Sequence, residues 1–137
     1  MIVVDASAVI AMLFGEPQSS VLAARLAADR DRVISVASYI EAGTVLAGRR
    51  RSDRLLAIDD LDTFLSAAGI ELAPTDATQA RLALRARIGY GWGMGHGGLL
   101  NFGDTFSYAL AKARDAPLLF VGNDFAGTDI TPALVPL

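Results

Sequence analysis

The sequence predicts an α/β domain of the three-layer α/β/α class, and three observations carry this prediction. Residues 2–4 and 118–121 form short, continuous hydrophobic stretches, which is typical of strands buried on both faces of a parallel sheet. Segments with the apolar spacing of helices alternate with the strands, as in sheets covered by helices on both faces. No linker, repeat or charge block divides the 137 residues, which suffice for one hydrophobic core. We therefore expect a single domain over residues 1–137.

The first half of the chain gives two strands and four helices. The stretch MIVVD has no basic residues ahead of its apolar ones and is interrupted by Asp5, so it indicates a first strand rather than a signal peptide. A shorter hydrophobic stretch at 33–36 is a second strand candidate. Gly69 supplies the usual end signal for the last helix of this half. Helical spacing of apolar residues is found over 6–14, 19–28, 37–50 and 54–68.

The second half adds two strands, two helices and a glycine-rich segment. Residues 89–103 contain seven glycines in fifteen residues, which predicts a mobile loop leading into the last helix. Pro74 and the two residues after it supply a start signal for the helix before this loop. Strands are predicted at 70–73 and 118–121, helices at 75–87 and 104–113, and a ragged edge element at Ile130, Leu134 and Val135.

The composition excludes several classes of protein. With no cysteine, the chain cannot form disulfides, thiolate zinc sites or a cysteine nucleophile. Hydrophobic residues make up 53% of the chain, but the longest uninterrupted apolar stretch, 8–14, is far shorter than the roughly 20 residues of a membrane-spanning helix. We expect a cytosolic protein without a membrane partner.

The charge leaves a nucleic-acid partner open. The net charge of −3 argues at first against one. Four of the acidic residues are candidate metal ligands, however, and the rest of the chain is then slightly basic. Eleven of the twelve basic residues are arginine, which forms forked contacts with phosphate but also follows from genomic composition. Both interpretations of the arginine bias stay open.

Four carboxylates are predicted to meet at one edge of the sheet. Ligands bind to parallel sheets beyond the carboxyl ends of the strands. Asp5 ends the first strand, and Asp124 follows the last buried strand. Asp104 opens the helix after the glycine-rich segment, and Glu41 lies in the helix that follows the second strand. The same edge therefore receives all four acids.

Each of these acids also has a structural interpretation. Asp5 and Asp104 stand where aspartate commonly caps a helix, which contributes about 1 kcal/mol. Asp124 lies in a Gly-Asn-Asp sequence that is typical of a turn. Glu41 is harder to explain in this way, because it shares a helical row with small and apolar residues that should face the sheet, and no basic residue is near it in sequence. A metal ion is the simplest counter-charge.

Carboxylates held close together repel one another, and hard divalent cations such as Mg²⁺ or Mn²⁺ relieve this repulsion through oxygen coordination. Such a site suits phosphodiester hydrolysis, because the metal positions the phosphate, promotes ionisation of the attacking water and stabilises the leaving oxygen. The sequence offers no other nucleophile-and-base pair that would favour acyl transfer.

Four segments occur in the order and at the spacing of PIN domains: VVDASAVIAMLFGE, SYIEAGTVL, LNFGDTFSYALAKA and LLFVGNDFAGTDI. Over nearly the whole chain the sequence resembles this family, and it is most similar to bacterial VapC-like toxins. The resemblance implies a mainly parallel five-stranded sheet in the order 3-2-1-4-5 and Mg²⁺- or Mn²⁺-dependent endoribonuclease activity. It also implies an RNA substrate, a homodimer, and inhibition by a cognate antitoxin whose tail occupies the active-site groove.

The resemblance can be carried over residue by residue. The predicted catalytic and metal-binding residues are Asp5, Glu41, Asp104 and Asp124. Among the supporting positions, Ser7 matches a small hydroxyl residue, and Asn101 matches a polar position just ahead of the third acid. Asp129 is another acid near the fourth position; Asp124 is favoured because it lies closer to the strand end, and Asp129 is expected to support it.

Other residues have weaker interpretations. His96, the only histidine, could act in general acid–base catalysis. Tyr90 and Trp92 could stack on unpaired bases, anchor the glycine-rich loop or contact an antitoxin. The densest basic cluster, which suits either phosphate binding or a helix C-terminus, comprises Arg49, Arg50, Arg51 and Arg54. We also predict that another chain covers part of the surface of the first two helices. The prediction rests on the apolar residues concentrated there, which are Val9, Met12, Leu13, Val21 and Leu22.

Two other folds use acids and Mg²⁺ on a similar sheet. A receiver domain has an acidic pair after the first strand and a lysine after a late strand, whereas Asp5 stands alone and the single lysine, Lys112, lies in a helix. A haloacid-dehalogenase-type phosphatase has a second aspartate where this chain has Ser7. The stronger alternative is a PIN domain that binds RNA or a partner without cutting.

Overall fold

The computed structural model describes residues 1–135, in which strands and helices alternate as predicted. The predicted domain end at residue 137 lies outside this range. The strands are β1 (Ile2–Val4), β2 (Arg32–Ser35), β3 (Ile70–Ala73) and β4 (Leu118–Leu119). The helices are α1 (Ala6–Leu13), α2 (Ser19–Ala27), α3 (Val36–Arg49), α4 (Leu56–Ala68), α5 (Ala77–Tyr90) and α6 (Phe102–Arg114).

The strands form one parallel sheet in the order β3-β2-β1-β4. The predicted strand order is confirmed for these four, but the expected fifth strand is reduced to a single bridge between Pro132 and Leu118. There the amide of Leu118 donates to the carbonyl of Thr131 (2.9 Å), and the amide of Ala133 donates to the carbonyl of Leu118 (2.8 Å). The pairing stays short because β4 has only two residues and Pro132 has no amide hydrogen to extend it.

The sheet separates two hydrophobic clusters, which confirms the three-layer α/β/α class. Side chains alternate along β1, so that Ile2 and Val4 pack with the helices α1 to α4 while Val3 packs with α5 and α6. All three are fully buried, as expected for the central strand of a parallel sheet. Within residues 1–135, no helix has the length and apolar character needed to cross a membrane.

The predicted partner surface on the first two helices is wrong for Val9 and Leu22. Val9 and Leu22 belong to the buried core, and Met12 and Leu13 are partly buried against it. Of the five, only Val21 is exposed. The reason is that α1 and α2 use these apolar faces to cover the sheet. Exposed apolar side chains also lie on α3 and α4, among them Ile40, Leu56 and Ile58.

The glycine-rich segment is closed at its base. The helix α5 continues to Tyr90, and the next residue, Gly91, pairs with Leu100. The amide of Trp92 donates to the carbonyl of Leu100 (2.9 Å), and the amide of Leu100 donates to the carbonyl of Tyr90 (3.2 Å). A Cβ at Gly91 or Gly98 would overlap backbone atoms of α5, so only glycine permits this close approach. Leu100 is fully buried, and the loop expected to be mobile is therefore anchored at both ends, directly before α6.

Candidate active site

Asp5 lies at the carboxyl end of the central strand, with only 3% of its surface exposed. It is the N-cap of α1, because its Oδ2 accepts hydrogen bonds from the Ser7 amide (3.0 Å) and the Ser7 hydroxyl (2.6 Å). Its Oδ1 accepts the hydroxyl of Ser107, on α6, at 2.5 Å. The capping interpretation is confirmed, but a cap needs only one carboxylate oxygen, and the other is held by a distant helix.

Glu41 reaches the same edge from α3. Its carboxylate lies so close to Gly103 that a Cβ at that position would overlap Oε2. Burial raises the pKa of Glu41, and the carboxylates of Asp5 and Asp124 raise it further. Within the described residues Glu41 forms no salt bridge. Its charge is therefore not balanced by a basic side chain.

Asp104 is the third residue of α6 rather than the residue that opens the helix. The helix begins two residues earlier than predicted, because Asn101 is its N-cap. The amide of Asp104 donates to Asn101 Oδ1 (2.9 Å), and the amide of Asn101 donates to Asp104 Oδ2 (3.0 Å). This reciprocal arrangement is a capping box, which satisfies two backbone donors and fixes the Asp104 carboxylate. Asn101 thus supports Asp104 directly.

The surroundings of Asp104 raise its pKa to about 7. Burial is the largest cause; the amide of Asn101 lowers the pKa, and the carboxylates of Asp5 and Asp124 raise it. Asp5 and Asp124 thus act electrostatically on both Glu41 and Asp104. We refer to these four residues, which share the carboxyl edge of the sheet, as the acid cluster.

Asp124 and Asp129 both follow β4 but have different neighbours. Asp124 is exposed, and its carboxylate raises the pKa of Glu41 and of Asp104. Asp129 accepts the hydroxyl of Tyr108 (2.6 Å) and forms a salt bridge with Lys112 (3.0 Å), and these two contacts lower its pKa. Both partners lie on α6, so Asp129 connects the segment after β4 to that helix. Because the carboxylate of Asp129 is bound to these two side chains of α6, Asp124 stays the candidate for the fourth acid.

The acid cluster suits a hard divalent cation by its chemistry. Its donors are carboxylate oxygens, which Mg²⁺ and Mn²⁺ prefer, and none of its members has a basic partner within residues 1–135. As the side chains stand in this part of the chain, no three of them are close enough together to hold one ion. Cation binding would therefore require the carboxylates to approach one another further.

Three residues at this site escape the sequence prediction: Ser38, Gly103 and Ser107. The hydroxyl oxygens of Ser38 and Ser107 are 2.9 Å apart, and both side chains are buried. The two serines do leave a signal, because each lies three residues from an acid on its own helix, and residues at that spacing share a helix face. Gly103 leaves none, because it is one of many glycines in its segment.

Tyr90, Trp92 and His96, whose functional interpretations from the sequence are weaker, have no hydrogen bond to the acid cluster in the part of the chain that the structure describes. Tyr90 packs against Tyr108, with ring centroids 5.9 Å apart, and so anchors the base of the loop. His96 and Trp92 are exposed in that loop.

The basic cluster is partly engaged in contacts within the chain. The Arg49 guanidinium lies over the Phe14 ring, 4.2 Å from its centroid, and Arg50 forms a salt bridge with Asp60 (2.8 Å). Arg54 donates to the carbonyl of Ala47 at 3.3 Å. For these three arginines the contacts favour a structural role over phosphate binding.

Comparison with known proteins identifies the family. The family model described as PIN domain matches residues 2–130. This chain belongs to the PIN-domain family. Among curated proteins, Ribonuclease VapC42 of Mycobacterium tuberculosis is 41% identical over 131 residues, covering 96% of this chain and 98% of the relative. Ribonuclease VapC28 of the same species is 43% identical over 132 residues, covering 96% and 97%. The resemblance seen in the sequence is confirmed.

Two solved structures share the fold of this chain. The crystal structure of Mycobacterium tuberculosis VapC20, described as a sarcin–ricin loop cleaving toxin, superposes with a TM-score of 0.72 at 17% identity, covering 96% of this chain and 97% of that one. A chain from a toxin–antitoxin complex of Klebsiella pneumoniae gives a TM-score of 0.69, also at 17% identity, covering 99% and 97%. At this level of identity the likeness concerns the fold alone.

Proposed function

We propose that this protein is a divalent-metal-dependent endoribonuclease and the toxin of a toxin–antitoxin pair, acting in the cytosol. The observation that carries the proposal is the acid cluster, in which carboxylates from β1, α3, α6 and the segment after β4 gather at the carboxyl edge of the sheet. The curated relatives are named ribonucleases, and a structural neighbour is described as a toxin that cleaves the sarcin–ricin loop. Hydrolysis of RNA by this cluster agrees with both.

Asp5, Glu41, Asp104 and Asp124 would hold Mg²⁺ or Mn²⁺. When bound, such a cation supplies Lewis-acid activation of water and neutralises charge at the scissile phosphate. The chain itself positions the acids, through the α1 cap at Asp5 and the capping box at Asp104. Because the pKa of Asp104 is raised to about 7, cation binding near neutral pH should release a proton from this residue.

A cleavage assay on labelled, structured RNA with Mn²⁺ tests this function. Asp5→Ala, Glu41→Ala and Asp104→Ala should each abolish cleavage while leaving the circular dichroism spectrum unchanged. Double variants should be little worse than single ones, because ligands of one site act as a unit. Asp59→Ala, which removes an exposed carboxylate on α4, is the matched control and should cleave as the wild type does. Full activity of any cluster variant would remove that residue from the site, and cleavage in EDTA would refute the metal requirement.

An antitoxin and a second copy of the chain are the proposed partners. A groove of about 550 Å³ runs between α3 and α4, lined mainly by apolar side chains that include Ile40 and Ile58. Ile40 precedes Glu41 on α3, but consecutive residues of a helix face different directions, and Glu41 does not line the groove. One of the structural neighbours comes from a toxin–antitoxin complex. The exposed apolar groove therefore supports antitoxin binding on the α3–α4 face, while the homodimer stays a prediction from the resemblance.

Co-expression with the neighbouring reading frame, followed by purification and light scattering, tests both partners. A small protein should co-purify and suppress cleavage, and Ile40→Asp in the groove should release it. The chain purified alone should have the mass of a dimer. A monomer with no co-purifying protein would contradict this part of the proposal.

The alternative is a PIN domain that binds RNA or a partner without cutting. It is favoured by one observation: within residues 1–135, no three carboxylates of the cluster stand close enough together to hold a cation. RNA binding without cleavage at any Mn²⁺ or Mg²⁺ concentration, with no effect of Asp5→Ala, would support this alternative over a nuclease.

A further inference from the structure

Asp5 lies at the centre of a hydrogen-bond network with two arms. In the first arm, Ser7 donates to Asp5 Oδ2 (2.6 Å) and accepts the amide of Val121, after β4, at 3.0 Å. In the second arm, Ser107 donates to Asp5 Oδ1 (2.5 Å), and the hydroxyl of Ser38 lies 2.9 Å from that of Ser107. One carboxylate is thus connected to α1, α3, α6 and the segment that follows β4.

The direction of the second arm follows from the number of hydrogens. An ionised carboxylate only accepts hydrogen bonds, so the single hydroxyl hydrogen of Ser107 is used on Asp5. Ser38 must then donate to Ser107. Ser38 and Ser107 are 1% and 0% exposed, so little water reaches either hydroxyl to replace these bonds. In such surroundings, successive hydrogen bonds polarise and strengthen one another.

The second arm ends on the two helices that carry acids. Ser38 precedes Glu41 on α3 by three residues, and Ser107 follows Asp104 on α6 by three residues. At that spacing, the serine and the acid lie on the same face of their helix. The arm through Ser7 likewise ends on the segment leading into the fourth acid. The network therefore links Asp5 to every element that carries another member of the cluster.

We propose that Ser38 and Ser107 form a positioning relay that fixes the orientation of the Asp5 carboxylate and the separation of α3 from α6, and thereby sets the affinity of the acid cluster for a divalent cation. This inference rests on the proposed function. The two serines are positioning residues, because they act through Asp5. Hydrogen-bond partners of metal ligands typically change the metal affinity about 10–100-fold when removed.

Isothermal titration of Mn²⁺ into the purified full-length protein tests the relay. Ser107→Ala should weaken Mn²⁺ binding about 10–100-fold. Ser38→Ala should weaken it less, since the direct bond from Ser107 to Asp5 remains. In the double variant the effect of Ser38→Ala should vanish, because Ser38 acts only through Ser107.

The matched control is Ser35→Ala. Ser35 is fully buried at the end of β2, where its hydroxyl accepts the amide of Ala37 and lies 3.3 Å from that of Thr75. It has no hydrogen bond to Asp5. Ser35→Ala should therefore lower thermal stability but keep the wild-type affinity for Mn²⁺.

Cleavage kinetics supply a second measurement. Ser107→Ala should lower kcat at limiting Mn²⁺ and recover it at saturating Mn²⁺, with the KM for RNA unchanged. A serine that merely fills space would not produce this metal-dependent recovery. If Ser107→Ala fails to fold, Ser38→Ala alone carries the test and should still weaken Mn²⁺ binding.

Three outcomes would overturn the relay: unchanged Mn²⁺ affinity in both serine variants, strictly additive effects in the double variant, or an equal loss of affinity in Ser35→Ala. A wild type that binds no Mn²⁺ would refute the proposed function instead. In that case the melting temperatures of the two single serine variants and the double variant are compared without metal. Additive shifts in melting temperature would overturn the relay, and non-additive shifts would support it.

Discussion

At the scale of single residues, structural and chemical roles fall on the same side chains. Asp5 caps α1 and Asp104 completes a capping box, yet both also belong to the acid cluster. The sequence could identify these acids because their positions follow from where strands and helices end. It could not identify Gly103 as the neighbour of Glu41, because no local pattern says that the start of α6 lies against α3.

A pH profile of stability tests the surroundings of Asp104. Its pKa is raised from about 3.8 to about 7 on folding, so between about pH 4 and 7 the folded state keeps a proton that the unfolded state has released. The stability contributed by this group is complete below pH 4 and is lost as the pH rises through 7. The melting temperature of the metal-free protein should therefore fall between pH 5 and 8. Asp104→Asn should flatten this fall, and a profile parallel to that of the wild type would contradict the assignment.

Substitution of Gly103 tests its contact with Glu41. A methyl group at position 103 would overlap Glu41 Oε2, so Gly103→Ala should displace the carboxylate and abolish cleavage and most of the stabilisation by Mn²⁺. Gly89→Ala is the matched control, because a Cβ there meets nothing within 4 Å. Alanine is the better helix former, by up to about 1 kcal/mol, so the control should keep its activity and its stability. Equal behaviour of the two variants in cleavage and thermal shift would refute the contact.

At the scale of secondary-structure elements, the patterns predict every strand and helix but misplace some boundaries. The start of α6 moves from residue 104 to Phe102 because Asn101 caps the helix, a signal hidden inside the glycine-rich segment. The helix α5 continues to Tyr90 and ends where Gly91 pairs with Leu100. No periodic pattern in the sequence predicts that pairing, so the end of α5 is misplaced in the prediction. Boundaries set by pairing or capping partners are thus harder to predict than the elements themselves.

Variants of Asn101 test the capping box. Asn101→Ala removes the acceptor for the Asp104 amide and should lower the free energy of unfolding by about 1 kcal/mol, measured by chemical denaturation. Asn101→Ser should restore most of this loss, since serine caps a helix about as well. Both variants should be compared for Mn²⁺ affinity, which is expected to follow the same order. Equal stability of the alanine and serine variants would show that the cap contributes nothing.

At the scale of the whole molecule, the parallel sheet follows from continuous hydrophobic strands, whereas the places where apolar side chains stay exposed do not follow from the sequence. Val9 and Leu22 look like surplus apolar residues in the sequence but lie in the core, because α1 and α2 both pack on the sheet. The groove between α3 and α4 arises from how two helices meet. The shape of such a groove depends on tertiary packing, and no sequence pattern predicts it.

Cation binding should stabilise the whole fold. A ligand that binds only the folded state contributes about 2.7 kcal/mol at a hundredfold excess over its Kd, so Mn²⁺ should raise the melting temperature measurably above the value in EDTA. Asp104→Asn should stabilise the metal-free protein at pH 8 and lose most of the response to Mn²⁺. A wild type whose melting temperature ignores millimolar Mn²⁺ and Mg²⁺ would contradict the metal site.

The pairing of β1 with β4 has a consequence for the time at which activity is acquired. Val3 lies opposite Leu118, so the central strand is synthesised well before the neighbour with which it pairs. Asp5 is held between Ser7 and Ser107, and it meets Asp104 and Asp124 only once the late segments have emerged. A nascent chain that still lacks these segments cannot assemble the acid cluster. The proposed nuclease can therefore become active only after the segment that carries Asp124 has been synthesised and has joined the sheet.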